Sequence, residues 1–427
     1  MFTKKTIHDI DLQDKRVLMR ADYNVPVEDG KITGDFRITQ SVPTIQALLE
    51  KNVRLVICSH LGRPDGKPDA ACSLKPVAKR LSELLERDVQ FVSDCIGPEV
   101  EKAVAALQPG QILLLENLRF YPEEEKNDDA FAAELAKSGE IFVQDGFGVV
   151  HRAHASTDAI TRHLPSVAGL LLEKEVDTIT SVMQNPQKPL AAVVGGAKIA
   201  DKIDVLNKFI ELADFIAVGG AMGNTFLVAS GHKVGKSKYD EGEVELARDI
   251  LARAAEASKQ RRFTFFLPHD AVVATSTDKT AQTRLVDWDA DLIADVQSYP
   301  KLPDPKTQNV AADEMILDVG PFSAAFIAGG VQLAATVIWN GTLGVTETPA
   351  VSGPVGPFAH GTEVLIEALT GEFGVKPFSV IGGGDTTAYL EQRKLTDSFG
   401  HVSTGGGASL ELMAGRPLPG VDALQDK

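Results

Sequence analysis

Short apolar runs alternate with amphipathic segments along the whole chain, and this alternation restricts the fold more than any other feature. Between the runs, apolar residues recur at helical spacing, as in Ile38–Leu49, Ser73–Leu85 and Asp128–Ala136. A repeated strand–helix order predicts parallel sheets with right-handed crossovers, hence two α/β units in tandem. The predicted strands are Val17–Met19, Leu55–Ile57, Val89–Val92, Ile112–Leu115 and Ile141–Val143, followed by Ala191–Val194, Phe215–Val218, Phe263–Leu267, Met315–Leu317, Thr336–Trp339 and Phe378–Ile381.

The segment Leu170–Val182 is predicted to form one long helix. It ends at a loop signal, in which Pro186 and Pro189 stand close together. At 427 residues the chain is long enough for two separate cores. The segment is therefore the best candidate for a connection between two domains, although one more crossover helix would show the same pattern.

Composition argues against several classes of partner. The formal net charge of −16 argues against nucleic acid and anionic membranes. The apolar runs are too short to span a bilayer, and residues 1–20 lack the apolar stretch of a secretory signal. Three cysteines in so long a chain indicate a reducing compartment, so we expect a cytoplasmic protein. An acidic protein that binds an anion must concentrate its positive groups locally.

The residues that follow the predicted strands differ between the two halves. In open parallel sheets, ligands bind beyond the carboxyl ends of the strands. Arginine and histidine dominate there in the first half, which suits a small, highly charged anion; glycine and lysine dominate in the second, which suits phosphates and a flat ring that approach the backbone closely. The segments are Arg20–Asn24, Ser59–Arg63, Glu116–Arg119 and Gln144–Gly148, then Gly195–Lys198, Gly219–Met222, Asp318–Gly320, Asn340–Gly341 and Gly382–Asp385.

The glycines of Gly382–Asp385 lie between a predicted strand and a predicted helix. Such a junction leaves backbone N–H groups free at the positive end of a helix dipole and predicts an anion site. The carboxylate of Asp385 would repel a phosphate unless a cation lay between them. A nucleotide phosphate bridged to Asp385 by Mg²⁺ is the simplest explanation; the alternative is that Asp385 only caps the helix.

Lys198 and Lys202 are four residues apart next to a glycine turn, which predicts that they share one helical face. A solvated face is the plain alternative. Lys198, however, comes directly after a strand, where its side chain could reach a transferring phosphoryl group.

His151 and His154 are spaced so that a metal could use both. Without a nearby Cys/His pair, anion binding together with Arg152 is the better interpretation. The chain contains no G-x-G-x-x-G motif, so a dinucleotide-dependent oxidoreductase lacks its main support.

A series of motifs along the chain resembles the phosphoglycerate kinase family over essentially its whole length. Each motif alone is weak, but the complete series in the family's order is very specific. The motifs are Asp22–Pro26, Ser59–Pro64, Leu115–Phe120, His151–Ser156, Gly195–Lys202, Ile338–Gly341, Gly382–Thr386 and Ser403–Ser409.

The resemblance implies two Rossmann-like domains with parallel β-sheets flanked by helices. Residues 1–169 would bind phosphoglycerate, 170–186 would form a long interdomain helix, 187–407 would bind nucleotide, and a tail of about 408–427 would pack back on the first domain. It also implies a monomer that uses Mg²⁺ and transfers a phosphoryl group reversibly from 1,3-bisphosphoglycerate to ADP, giving 3-phosphoglycerate and ATP. Transfer would be direct and in line, on domain closure.

The resemblance also implies the site residues. Phosphoglycerate would be bound by Asp22, Asn24, Arg37, His60, Arg63, Arg119 and Arg152. The nucleotide would be bound by Lys198, Lys202, Gly219, Gly220, Gly320, Asn340, Glu347, Gly383, Gly384, Asp385 and Thr386, with Asp385 as the metal ligand. Arg37 and Lys198 would stabilise the transferring phosphoryl group, assisted by backbone amides at Gly384 and Gly406.

The chain departs from the family pattern in several loops, but no departure removes a charged ligand. A gained glycine and a lost proline both loosen a backbone, which bears on hinge behaviour and nucleotide affinity. A binding protein without turnover and another carboxylate kinase are therefore the alternatives to an active enzyme. The departures are Gln144 for Asn, Gly146 for Ala, Val149 and Val150 for Thr-Ala, Thr342 for Pro and Thr346 for Phe.

Overall fold

The computed structural model describes residues 2–288 and 309–427. Contacts divide the chain into two compact units. The first unit comprises the residues up to Ser181 together with Thr404–Lys427, and the second comprises Val182–Ser403. Each unit contains a six-stranded parallel sheet flanked by helices, so the predicted fold class is confirmed.

The sheet of the first unit has the strand order β5-β6-β4-β1-β7-β8, and every pairing in it is parallel. Its strands are β1 (Arg16–Arg20), β4 (Arg54–Cys58), β5 (Val89–Phe91), β6 (Ile112–Leu114), β7 (Ile141–Gln144) and β8 (Ser166–Ala168). A short antiparallel pair, β2 (Val27–Glu28) and β3 (Lys31–Ile32), stands apart from it. The sequence missed β8, because Ser166, Val167 and Ala168 include only one large apolar side chain and so do not form an apolar run.

Helices cover both faces of this sheet, which explains the continuous apolar runs of its strands. Along β1, Val17 and Met19 belong to one buried cluster and Leu18 to another. The helices are α1 (Phe36–Leu49), α2 (Lys75–Leu85), α3 (Pro98–Ala106), α4 (Pro122–Glu125), α5 (Asp129–Ala136), α6 (Leu170–Gln184), which continues past Ser181, and the C-terminal α13 (Gly406–Met413) and α14 (Pro419–Asp422).

The sheet of the second unit has the order β11-β10-β9-β15-β16-β17 and is also entirely parallel. Its strands are β9 (Leu190–Val194), β10 (Phe215–Val218), β11 (Thr264–Phe266), β15 (Thr336–Asn340), β16 (Phe378–Gly382) and β17 (His401–Val402). The helices are α7 (Ile203–Leu212), α8 (Gly220–Ala229), α9 (Val244–Gln260), α10 (Pro321–Gln332), α11 (His360–Thr370) and α12 (Gly384–Gln392).

One strand of the second predicted series does not join the parallel sheet. The predicted run Met315–Leu317 becomes β14 (Met315–Val319), which pairs antiparallel with β12 (Asp270–Ala274). The third strand of this small sheet is β13 (Arg284–Asp287). An apolar run reports that a strand is buried but not which partner it pairs with, so the sequence could not separate this sheet from the parallel one.

In the described residues, four α-helices begin against a carboxylate that is distant in sequence. The first N–H groups of a helix have no partner within the helix, and negative charge is favourable beside them. We call these residues the capping carboxylates. Glu116 Oε1 accepts from Leu74 N before α2 (2.7 Å), Asp145 Oδ1 from Leu171 N of α6 (3.0 Å), Asp270 Oδ1 from Ser323 N of α10 (2.8 Å) and Asp318 Oδ2 from Gly361 N of α11 (2.9 Å).

Asp145 should make the stability of the protein depend on pH. Burial raises the pKa of its carboxyl group from 3.8 to about 7. A carboxyl whose pKa is higher in the folded state stabilises the fold fully below the unfolded value, and this contribution is lost as the pH rises through the folded value. Asp145→Asn keeps an Oδ1 acceptor for the N–H of Leu171 but cannot ionise.

We therefore expect the urea unfolding midpoint of the wild type to fall more between about pH 5 and pH 8 than that of Asp145→Asn. Asp249→Asn, at an exposed position on α9, is the matched control and should follow the wild type. Equal pH dependence of the wild type and Asp145→Asn would contradict the prediction.

Candidate active site

The predicted phosphoglycerate ligands lie at the carboxyl end of the first sheet, in loops that follow its strands or at the start of α1. The anion cluster is Asp22, Asn24, Arg37, His60, Arg63, Arg119 and Arg152. Asp22, His60 and Arg119 are buried, whereas Arg63 and Arg152 are exposed. Buried members on a fixed scaffold and exposed members at its edge suit an anion that enters from solvent.

Hydrogen bonds hold the inner members of the anion cluster together. Arg37 donates to the carbonyls of Asn24 (2.5 Å) and Thr404 (3.0 Å), and its Nε lies 3.8 Å from Asp22 Oδ2. The backbone amide of Gly62 donates to Asn24 Oδ1 at 2.9 Å, and its carbonyl accepts from Arg119 Nη1 at 2.9 Å. The structure thus brings these predicted ligands into one network before any substrate is bound.

Two buried ring nitrogens beside this network, His151 Nδ1 and His154 Nδ1, have no hydrogen-bond partner among the described residues. His151 Nδ1 carries the ring hydrogen, because Arg152 Nε donates to His151 Nε2. Arg119 Nε lies 3.3 Å from Glu125 Oε1, an exposed carboxylate at the edge of the cluster. Buried polar atoms without partners are rare, so the two histidines point to a ligand that pairs with them. Burial and neighbouring arginines lower the pKa of His154 to about 3. The positive charge of the site is therefore carried by arginine, while the histidines are neutral.

The N-terminus of α13 lies in the same region of the first unit. Its Gly406 follows Thr404, whose carbonyl holds Arg37. A side chain on Gly407 would come within 3.1 Å of His151 Nε2, so the glycine allows the helix start to approach the histidine. The structure thus puts the predicted Gly406 amide near Arg37. No group of three or more residues suited to holding a metal occurs in the described part of the chain, so His151 and His154 gain no support as metal ligands.

The second unit contains a cavity of about 500 Å³. Of the predicted nucleotide ligands, Gly220, Glu347 and Asp385 line it. At Gly220, φ is +64° and a side chain would lie 2.9 Å from Gly196 N, so only glycine allows these two loops to touch. The glycine backbone lets a ligand approach closely, and the carboxylates can face a cation. This combination suits a nucleotide whose phosphates carry a metal ion.

The two predicted lysines do not share a helical face, so that prediction is wrong. Lys198 is exposed in a loop after β9, and helical turns begin only at Ala200. Lys202 is buried and donates to Gly195 O and to both oxygens of Asn340. The turn at Gly196, with φ of +108°, extends past Lys198 and delays the helix. Burial lowers the pKa of Lys202 to about 8.

Asn340 connects Lys202 to the glycine loop after β16. Its Oδ1 accepts from Lys202 Nζ at 2.8 Å, while its buried Nδ2 has no partner among the described residues. The neighbouring Gly341 N donates to Thr386 Oγ1 at 2.9 Å. Lys202 and Thr386 therefore shape this loop, and Asn340 retains one donor for a ligand.

The helix α12 begins without a side-chain cap. Its N-cap is Gly383, with φ of +98°. Asp385 is exposed in the first turn and lines the cavity. The alternative that Asp385 caps the helix is therefore not supported, and its carboxylate stays available to a ligand.

Four predicted glycines lie at helix starts and do not line the cavity: Gly219 before α8, Gly320 before α10, and Gly383 and Gly384 at the start of α12. A side chain on Gly320 would lie 2.2 Å from Asp270. The prediction missed Lys238 and Asp318, which do line the cavity. Asp318 stands at a predicted strand end, which was the available signal, and burial raises its pKa to about 7.

One departure from the family pattern falls in the cavity wall. Thr342, one of the departures that the resemblance implies, lines the cavity and donates its hydroxyl to Gly344 O at 3.0 Å. In the first unit, Gln144 Oε1 accepts from Gly146 N at 3.1 Å, so these two departures contact each other.

Comparison with known proteins gives one consistent result. The family model for phosphoglycerate kinase matches residues 7–416. A phosphoglycerate kinase of Moorella thermoacetica is 44% identical over 424 residues, covering 99% of this chain and all of the relative. One of Chloroflexus aurantiacus is 45% identical over 426 residues, covering 99% of both.

A solved structure with the same fold is the phosphoglycerate kinase from Coxiella burnetii, with a TM-score of 0.78, 36% identity and 98% coverage of both chains. Another, from Pyrococcus horikoshii, has a TM-score of 0.80 at 29% identity, covering 99% of this chain and 98% of the other. By sequence and by fold, the chain belongs to the phosphoglycerate kinase family and transfers a phosphoryl group reversibly between 1,3-bisphosphoglycerate and ADP.

Proposed function

We propose that the first unit binds phosphoglycerate through the anion cluster and that the second unit binds ADP or ATP at the cavity lined by Asp385. The unpartnered buried nitrogens support this assignment. His151 Nδ1 and His154 Nδ1 lie beside the anion cluster, and Asn340 Nδ2 lies beside the glycine loop of the second unit. Phosphate and carboxylate oxygens are acceptors for the N–H groups of His151 Nδ1 and Asn340 Nδ2.

Catalysis consists of positioning and charge stabilisation. The carboxylate of 3-phosphoglycerate attacks the γ-phosphoryl group of ATP in line, the bond from the γ-phosphorus to the bridging oxygen breaks, and ADP leaves; no covalent enzyme intermediate is required. Arg37 and Lys198 stabilise the charge on the transferring group, and the amides at Gly384 and Gly406 assist at two helix starts.

The family uses Mg-ATP, and we propose Asp385 as the protein ligand of the Mg²⁺. In the described part of the chain no group of three or more acidic, histidine or cysteine side chains could hold a metal. Asp385 lines the cavity together with Glu347 and Asp318, and it is exposed at the start of α12. Such a carboxylate would fit Mg²⁺, which typically takes one or two protein carboxylates and keeps phosphate oxygens and water as its other ligands. When bound there, Mg²⁺ would supply positive charge against the phosphate oxygens.

We also infer a cytoplasmic monomer that binds neither nucleic acid nor membrane. A formal net charge of −16 and three unpaired cysteines support this inference. No helix in residues 2–288 and 309–427 combines the length and the apolar character needed to cross a bilayer.

Replacing Arg63 by alanine tests the assignment of the first unit. Arg63 is exposed at the edge of the anion cluster and directly follows Gly62. Because it contributes charge to binding more than to the transition state, we expect the KM for 3-phosphoglycerate to rise about 10-fold or more. The KM for MgATP should stay within about twofold and kcat should change little.

Steady-state kinetics with each substrate varied at saturation of the other will measure these constants. Arg87→Ala removes an exposed arginine elsewhere in the first unit and should leave both KM values unchanged. An unchanged KM for 3-phosphoglycerate in Arg63→Ala would remove Arg63 from the site.

A further inference from the structure

Behind the anion cluster lies a buried carboxylate that the reaction itself does not use. Glu124 is fully buried in α4. Its Oε2 accepts from Ser156 N at 3.0 Å and its Oε1 from Ser156 Oγ at 2.6 Å. Its backbone carbonyl accepts from Ala155 N at 2.9 Å. Glu124 thus fixes the end of the segment that carries Arg152.

Ser156 also forms a hydrogen bond with a second buried charged side chain, that of Arg20. Arg20 is completely buried, and its Nε donates to Ser156 Oγ at 2.8 Å. Its Nη2 lies 4.0 Å from Glu124 Oε1. A buried guanidinium is costly unless a carboxylate and hydrogen-bond acceptors compensate it. Glu124 supplies the carboxylate and Ser156 supplies one of the acceptors.

Arg20 in turn determines which tautomer the imidazole ring of His60 adopts. Its Nη2 lies 3.2 Å from His60 Nδ1. A guanidinium can only donate, so His60 Nδ1 must accept and the ring hydrogen must reside on Nε2. Burial, followed by the charges of Arg20 and Arg119, holds the pKa of His60 well below its usual value, so the ring is neutral. The Nε2–H is the one donor that this ring can offer to a ligand.

We propose that Glu124 is a positioning residue for the phosphoglycerate site, acting through Ser156 and Arg20 to hold His60 as an Nε2–H donor. This inference rests on the proposed placement of phosphoglycerate at the anion cluster. Glu124 touches no member of the cluster by hydrogen bond; its effect is to orient the groups that do.

Glu124→Gln preserves the size of the side chain but removes its charge and leaves one oxygen where two now accept from Ser156 N and Ser156 Oγ. We expect the KM for 3-phosphoglycerate to rise about 10-fold, with the KM for MgATP unchanged within about twofold and kcat lowered only modestly. Glu123→Gln makes the same chemical change one residue away in α4 at a partly exposed position, and it should behave as the wild type.

The ring form of His60 can be observed directly by NMR of protein labelled with ¹⁵N-histidine, with His60→Gln to assign the signals. In the wild type, His60 should show a protonated Nε2 and an unprotonated Nδ1 without titration between about pH 6 and pH 8. In Glu124→Gln we expect mixed tautomers or a titrating ring. A merely structural role for Glu124 would leave this signature unchanged.

Ser156→Ala is the second variant, because it breaks the same link without altering a buried charge. It should raise the KM for 3-phosphoglycerate in the same direction, and the double variant should be less than additive. If neither single variant changes this KM while Arg63→Ala raises it, the positioning role fails and the site assignment stands. If Arg63→Ala also has no effect, the site assignment fails. Equal increases in both KM values would likewise overturn the positioning role.

Discussion

Replacing Lys198 by alanine is expected to lower kcat by about 10²-fold or more, with a smaller effect on either KM. Lys198 is exposed in the loop after β9, and the adjacent Ala197 lines the cavity of the second unit. Its ammonium is a compact charge on a flexible stem. Such a group can follow the phosphoryl group as it moves and interact most strongly in the transition state.

Initial rates at saturating concentrations of both substrates will measure this effect. Lys208→Ala removes a partly exposed lysine on α7 that pairs with Glu211, and it should retain wild-type kcat. Lys198→Arg should recover part of the lost rate, since it restores the charge but not the geometry. Turnover of Lys198→Ala near the wild-type value would exclude Lys198 from the transition state.

Asp385→Asn has the second-largest expected effect. The substitution keeps the shape of the side chain but removes the charge that would bind Mg²⁺. We expect kcat/KM for MgATP to fall about 10²-fold and the Mg²⁺ concentration needed for half-maximal rate to rise. The rise in Mg²⁺ requirement distinguishes loss of a metal ligand from a general disturbance of α12.

Calorimetric titration with ADP, with and without Mg²⁺, provides a measurement independent of turnover. Mg²⁺ should strengthen ADP binding to the wild type and do so much less in Asp385→Asn. Asp397→Asn, at an exposed position after α12, is the matched control. If Mg²⁺ strengthens binding equally in wild type and Asp385→Asn, Asp385 is not the ligand.

The sequence predicted the parts of the site that depend on chain order. Because parallel strands all end at the same edge, Arg119 after β6 and His60 after β4 could be placed in one region without coordinates. The same argument placed Asp385 at a helix start. When a sheet is parallel, a single sequence therefore suffices to predict which residues lie together at the carboxyl ends of its strands.

Prediction from the sequence failed where the local structure depends on a backbone turn, on a distant pairing strand or on a contacting side chain. The spacing of Lys198 and Lys202 is helical, but the positive φ at Gly196 delays the helix. The apolar run at Met315 shows burial, but its antiparallel pairing with β12 depends on a strand more than forty residues away. Glu124 gave no signal at all, because its role depends on Ser156 and on Arg20, which follow from the folded chain.

The capping carboxylates also bear on how the chain folds. Asp145 lies 26 residues from its amide, Asp318 43 residues and Asp270 53 residues. A helix nucleus is unfavourable by itself, and these helices gain the acceptor for their first turn only after a distant strand is in place. Excised peptides that cover α10 or α11 should therefore fray at their N-termini, and in the intact chain helix completion should coincide with the slow closure of long loops.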